Sequence, residues 1–279
     1  MRRPIDVLAD VRLRMIKGEV GEAADALAAL WALLARGDRG IDVAKLHSVS
    51  IELADRFPLA EPVSMLMHHA TVAYAQLGDF LAATSTAARM VSVWRATCQA
   101  DPTGDALIRH AHALDTLAAV YRARGMPDEV TGCLVELIEW HFIGDNRVGV
   151  AWAVRELGTL ALLADDLDNA AHKFARSDEI YAEEGDAAEL RRERAECHVL
   201  MGRLAYRQGN TTAALHWFGA ALEHLAEDTA AEVRAFMRAA EAGIPQPPSK
   251  LLPIGEFGQP IWTAPPTSRN CTKTPITTS

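Results

Sequence analysis

Between Leu157 and Ser177 the chain reads LGTLALLADDLDNAAHKFARS, and between Met201 and Ala221 it reads MGRLAYRQGNTTAALHWFGAA. A large apolar residue precedes Gly158 and Gly202. A short turn follows at Asp165-Asp166 and Gly209-Asn210, and then come Ala170 with Phe174 and Ala214 with Phe218. Such an internal repeat limits the fold more than any composition does, because a helical hairpin buries its apolar face only by stacking on the next one. The pattern extends backwards to Gly125 in LAAVYRARG and Gly78 in VAYAQLGDF, with a more degenerate copy around Gly18 in IKGEVGEAADAL. The steps from Gly78 onward are 47, 40 and 44 residues, and the step of 60 from Gly18 to Gly78 leaves room for an additional helix around Asp42 to Arg56.

These residues resemble the tetratricopeptide repeat family. In that family a Leu-Gly or Leu-Ala pair and a Tyr or Ala three residues later mark the first helix of a hairpin. The corresponding sets are Leu117, Ala118 and Tyr121; Leu157, Gly158 and Ala161; and Met201, Gly202 and Ala205. The small-then-large set of the second helix is Ala170 with Phe174 and Ala214 with Phe218, with weaker copies at Val130 and Leu134 and at Ala83 and Ala87. The family's early Trp and terminating Pro are absent at the matching positions, and the period exceeds its usual value of roughly 34. The resemblance implies an all-α, right-handed superhelical solenoid of antiparallel hairpins.

Turn and capping residues divide the chain into about twelve helices, with breaks near Gly18, Gly37 to Gly40, Phe57 to Pro62, Gly78-Asp79, Asp101 to Gly104, Gly125 to Pro127, Gly144 to Asn146, Asp165-Asp166, Gly185-Asp186, Gly209-Asn210 and Glu227-Asp228. The charged segment from Asp228 to Ala242 suits a polar cap on an open stack. After it, eight prolines and many Ser and Thr fall within 37 residues, so residues 1–242 are expected to form the repeat domain and 243–279 a disordered tail. The tail's one apolar island is Ile254 to Trp262.

The formal charge of −9 and pI near 5.6 argue against a binder of nucleic-acid backbones. No secretory signal precedes the first amphipathic segment, and the apolar run Ala26 to Ala35 is too short to cross a bilayer, so a cytoplasmic protein without membrane association is expected. Cys98, Cys133, Cys197 and Cys271 show no CxxC spacing and are expected as reduced thiols. His68-His69, His110 with His112, and His198 beside Cys197 do not share helix faces as zinc ligands must. Asp165, Asp166 and Asp168 lack the Gly and distal Glu of a calcium loop. No metal and no cofactor is expected. No nucleophile elbow, phosphate loop or dinucleotide fingerprint is present, and the chain is not expected to be an enzyme.

In the resembled family the first helices of successive hairpins line a concave groove. That register projects Met65, His68 and Val72 from the Gly78 hairpin, and His112, Asp115 and Arg122 from the Gly125 hairpin. It projects Trp152, Arg155 and Thr159 from the Asp165 hairpin, and Arg203, Tyr206 and Arg207 from the Gly209 hairpin. Four arginines on one face suit carboxylates, and Trp152 and Tyr206 suit an apolar side chain. The expectation is a cytoplasmic protein- or peptide-binding module, an adaptor, sensor or regulatory scaffold whose ligand is acidic or offers a free C-terminus. The alternatives are a folded carrier of a modified Ser/Thr/Cys-rich C-terminal peptide, a tail that docks Ile254 to Trp262 into its own groove, and a helical-repeat enzyme without a recognisable motif.

Overall fold

A computed structural model describes residues 4–37 and 40–244, and all of its regular structure is helical. The twelve helices among the described residues are α1 (Pro4–Lys17), α2 (Val20–Ala35), α3 (Val43–Arg56), α4 (Glu61–Gln76), α5 (Phe80–Ala100), α6 (Gly104–Ala123), α7 (Pro127–Ile143), α8 (Arg147–Leu163), α9 (Leu167–Glu184), α10 (Ala188–Arg207), α11 (Thr211–Leu222) and α12 (Glu227–Ala242). Every expected break separates two of them, and the helix expected around Asp42 to Arg56 is α3. Asp42 caps it by accepting from the Lys45 N–H at 3.1 Å. The expected tail lies outside the described residues from 245 on.

The hairpin turns are built alike, and for a reason. Gly78 adopts φ 79°, its N–H donates to Ala75 O, and the Asp79 N–H donates to Tyr74 O. This pair of bonds closes the end of α4 around one left-handed residue. Asp79 then caps α5 by accepting from the Ala82 N–H, so a single residue serves as the end of one helix and the start of the next. The same closure recurs at Gly125-Met126, Asp165-Asp166 and Gly209-Asn210, and between α7 and α8 at Asp145-Asn146. Asp165 and Asp145 hold φ 64° and 51°, a conformation in which Asp is better tolerated than most side chains.

The repeated small and large residues fill a common space. A Cβ on Gly158 would lie 2.7 Å from Phe174 Cε1, and one on Gly202 would lie 2.5 Å from Phe218 Cδ1. The glycines are therefore seats for the aromatic rings of the second helices. In the α6–α7 hairpin the same register holds Ala118 and Leu134, both fully buried, so a larger seat goes with a smaller occupant. Ala83, Val130, Ala170 and Ala214, five residues after each turn, are all buried.

Hairpins α1–α2, α4–α5, α6–α7, α8–α9 and α10–α11 stack in order, each second helix packing on the first helix of the next. Helix α3 covers the junction of α2 and α4, where Trp31 Nε1 donates to Ser50 Oγ at 3.0 Å and the Trp31 and Tyr74 rings meet. Successive first helices also approach one another, α4 with α6, α8 with α10 and α10 with α12, and α6 meets α8 through Arg122 and Glu156, whereas α5 meets α7 through the longer side chains of Arg95 and Glu136. The first helices thus form the inner side of the curve. One apolar core runs from α1 to α8, and smaller clusters continue it to α12.

Candidate functional site

Counting back from the turn residues Gly78, Gly125, Asp165 and Gly209 aligns the inner side in rows. One row is His68, Asp115, Arg155 and Val199. Another is Met65, His112, Trp152 and Glu196, and two more are Val72, Ala119, Thr159 and Arg203, and Ala75, Arg122, Leu162 and Tyr206. Every residue projected from the sequence falls on first helices, but their surroundings differ sharply.

The four arginines are engaged within the chain. Arg122 on α6 pairs with Glu156 on α8 at 3.1 Å, both partly exposed. Arg155 on α8 is 3% exposed and pairs with Glu193 at 2.9 Å and Glu196 at 3.3 Å on α10, also donating to Glu193 O. Although burial pulls its pKa down, Tyr181, Glu193, Glu196 and Glu156 together raise it, so the guanidinium stays protonated. Arg203 lies 5.2 Å over the Phe236 ring on α12, and burial lowers its pKa. Arg207 reaches back to the end of α8, donating to Leu162 O at 2.5 Å and to Asp165 at 2.7 Å. That is the position where a cation satisfies terminal carbonyls.

Toward the N-terminal half the inner side is less charged. Arg109 pairs with Glu61 on α4 at 3.3 Å. His68 Nδ1 meets Thr116 Oγ1 at 3.0 Å, and burial, reinforced by His69 and His112, lowers the His68 pKa to about 4. His112 is also lowered by burial, with Arg109 adding to it. Asp115 behaves in the opposite way. Burial raises its carboxyl to about 6, opposed by Arg122 and aided by Glu156. Met65 is exposed and Trp152 is buried, while Thr159 donates to Arg155 O. Tyr206 donates to Ala239 O at 3.4 Å and to Ile244 O at 2.5 Å, tying the end of α12 to α10.

The inner side therefore carries a ladder in which neighbouring first helices exchange charge: Glu61 with Arg109, Arg122 with Glu156, Arg155 with Glu193 and Glu196. Its acidic members were not among the residues projected from the sequence. Their signal was present in the Arg155-Glu156 doublet and in the run ELRRERAE of residues 189–196. A second set of charges ties α7 and α9 to their neighbours. Glu136 on α7 accepts from Arg95 at 2.8 and 2.6 Å and pairs with His110 at 3.1 Å, and Asp178 on α9 accepts from Arg194 at 3.0 Å and pairs with His198 at 3.1 Å.

Among the described residues no group of His, Cys, Asp and Glu is arranged to hold a metal ion, and no helix is long and apolar enough to cross a membrane. Cys98, Cys133 and Cys197 are buried free thiols. No protein-family model and no curated protein matches the chain. Its fold is similar to that in the crystal structure of BtubC (BKLC) from P. vanneervenii, with a TM-score of 0.54 and 17% identity, covering 89% of this chain and 94% of that one. At that identity the likeness speaks for the fold: the chain is a helical-repeat protein.

Proposed function

We propose that the chain is a protein- or peptide-binding scaffold, an adaptor, sensor or regulator of cytoplasmic location, whose ligand lies along the inner side formed by α4, α6, α8 and α10. The observation that carries this reading is the state of Arg122 and Arg207. Both guanidiniums are partly exposed and held at the inner surface by Glu156 and Asp165. The exposed Arg207–Asp165 pair contributes only about 0–1 kcal/mol, so a ligand carboxylate can replace Asp165 at little cost, and a carboxylate can share the partly exposed Arg122 guanidinium with Glu156. Arg155 plays a different part, since its buried pairs hold α8 against α10 and set the spacing of the ladder. A ligand with acidic side chains or a free C-terminus fits these two cations, as the sequence leads one to expect.

The repeat itself we assign to the tetratricopeptide type, on the Gly158–Phe174 and Gly202–Phe218 seats and the shared turns. Peptides selected by display on the full chain test the functional reading. The selected set is expected to be rich in Asp, Glu or terminal carboxylates. Arg122→Ala is expected to weaken binding about tenfold, the loss of one charge-assisted hydrogen bond. Arg176→Ala, at an exposed pair with Glu179 on α9, serves as control and is expected to change affinity less than about twofold. Selected peptides without acidic groups, or equal affinity for Arg122→Ala, would contradict the proposal.

A further inference from the structure

Glu61, Glu156, Glu193, Glu196 and Asp165 on the inner side each have an arginine: Arg109, Arg122, Arg155 for both Glu193 and Glu196, and Arg207. Asp115 differs. Among the described residues nothing forms a hydrogen bond or ion pair with its carboxylate, on which only Arg122 and Glu156 act through space. Arg122 stands seven residues further along α6, two turns or about 10 Å, and Glu156 already engages it. When Asp115 is ionised, it and Glu156 therefore exceed Arg122 by one negative charge. The neighbours supply no spare cation. Arg155, in the same row on α8, is held by Glu193 and Glu196. His68, in that row on α4, is bonded to Thr116 and lowered to about 4 by burial, and α7 brings the buried Cys133 thiol.

The carboxylate is nonetheless within reach of a ligand. Asp115 is partly buried and partly open to solvent, and the next residue on its face, Ala119, is small and partly exposed. Asp115, Ala119 and Arg122 fall at i, i+4 and i+7, one stripe along α6. One turn back, at i−3, His112 Nε2 is shut off from solvent and has no hydrogen-bond partner among the described residues, so two polar groups side by side on the inner face of α6 lack partners. Buried polar groups are normally paired, and a carboxylate is best paired by a cation.

We propose that Asp115 receives a cationic side chain of the bound peptide, a lysine or an arginine. This rests on the reading of the inner side as a peptide-binding surface and adds a second chemical requirement to it. A lysine ammonium or an arginine guanidinium has donors enough for both carboxylate oxygens. The peptide then carries both signs, a base at Asp115 and an acid at Arg122. An extended chain advances about 3.3 Å per residue, so the two charges lie within about four residues of each other. Burial raises the Asp115 carboxyl to about 6, and a bound cation favours the ionised form that burial opposes.

Parallel selections from one random-peptide display library, on the full natural chain and on full-length Asp115→Asn, test the assignment. Asp115→Asn removes a charge that burial disfavours and is expected to keep the helical circular dichroism spectrum. Peptides from the natural chain are expected to carry Lys or Arg within about four residues of an acidic group, and those from Asp115→Asn to keep the acid and lose the base. The tightest peptide of the natural chain is expected to bind Asp115→Asn about tenfold more weakly, the loss of a charge-assisted contact. Replacing its basic residue with Met is expected to cost as much on the natural chain and almost nothing further on Asp115→Asn. Acidic peptides that depend on Arg122 but lack a base, or losses that simply add, would overturn the role of Asp115 and leave the peptide-binding reading standing. Failure to select any peptide on the natural chain would overturn both.

Discussion

Gly158 and Phe174 occupy one space between two helices, and the residues that fill it are coupled. Gly158→Ala places a methyl group 2.7 Å from the Phe174 ring, and overpacking of this kind costs about 1–3 kcal/mol. Adding Phe174→Leu recreates the Ala118 and Leu134 pairing of the neighbouring hairpin. Urea unfolding of the single and double variants is therefore expected to show the double loss well below the sum of the singles. Titration gives a second test at this scale. His68 and His141 are lowered to about 4 by burial, so the unfolded chain binds their protons first. Their contribution to stability is complete above pH 6.5 and is lost as the pH falls from 6.5 to about 4. Asp115, raised by burial to about 6, has the opposite sign: its folded form binds a proton first, so stability falls as the pH rises from about 4 through 6. Asp115→Asn is therefore expected to raise the urea midpoint at pH 8 and to steepen the loss on acidification between pH 6 and 4. A midpoint at pH 8 equal to that of the natural chain would show that the carboxylate costs nothing where it stands.

Between elements, turns and ladder pairs set the geometry. The α7–α8 turn holds Asp145 at φ 51° with its side chain exposed. Gly at that position removes the left-handed penalty, so Asp145→Gly is expected to stabilise by about 0.5–1 kcal/mol, read as a rise in thermal midpoint. Glu193→Ala acts in the other direction. It leaves the buried Arg155 with Glu196 as its nearest carboxylate on α10, and the expected loss is on the order of 3 kcal/mol in chemical denaturation. These two cases also show how far the sequence could be read. Helix boundaries were legible because turn glycines, Asp and Asn act within a few residues of themselves, and α3 was legible as the surplus in one repeat step. The seats at Gly158 and Gly202 were visible as a motif, although not as ring pockets. The ladder was not legible. Glu156, Glu193 and Glu196 meet arginines 34 to 41 residues away, and single-helix periodicity names a face without naming what the next helix brings to it. Arg155 was therefore expected to face a ligand, whereas its own chain supplies its carboxylates.

At the scale of the whole molecule, a stack in which each hairpin touches only its neighbours has local stability. The core is continuous from α1 to α8 and divides into smaller clusters beyond it, with the Arg155, Tyr181 and Glu193 polar group at the division. Native-state hydrogen exchange is expected to show α11 and α12 opening at lower free energy than α4 to α7. The same architecture gives the chain two sides, an inner one of first helices carrying the ladder and an outer one of second helices, of which α7 and α9 are tied to first helices through Glu136 and Asp178. The inner side is the binding surface proposed for this chain. Hydrogen-exchange mass spectrometry of the full chain, with and without a saturating peptide from the selection, tests it most directly. Slowed exchange concentrated in α6, α8 and α10, including the turn at Asp165-Asp166 beside Arg207, is the result this account predicts. Protection confined to the outer helices α5, α7, α9 and α11 would contradict it.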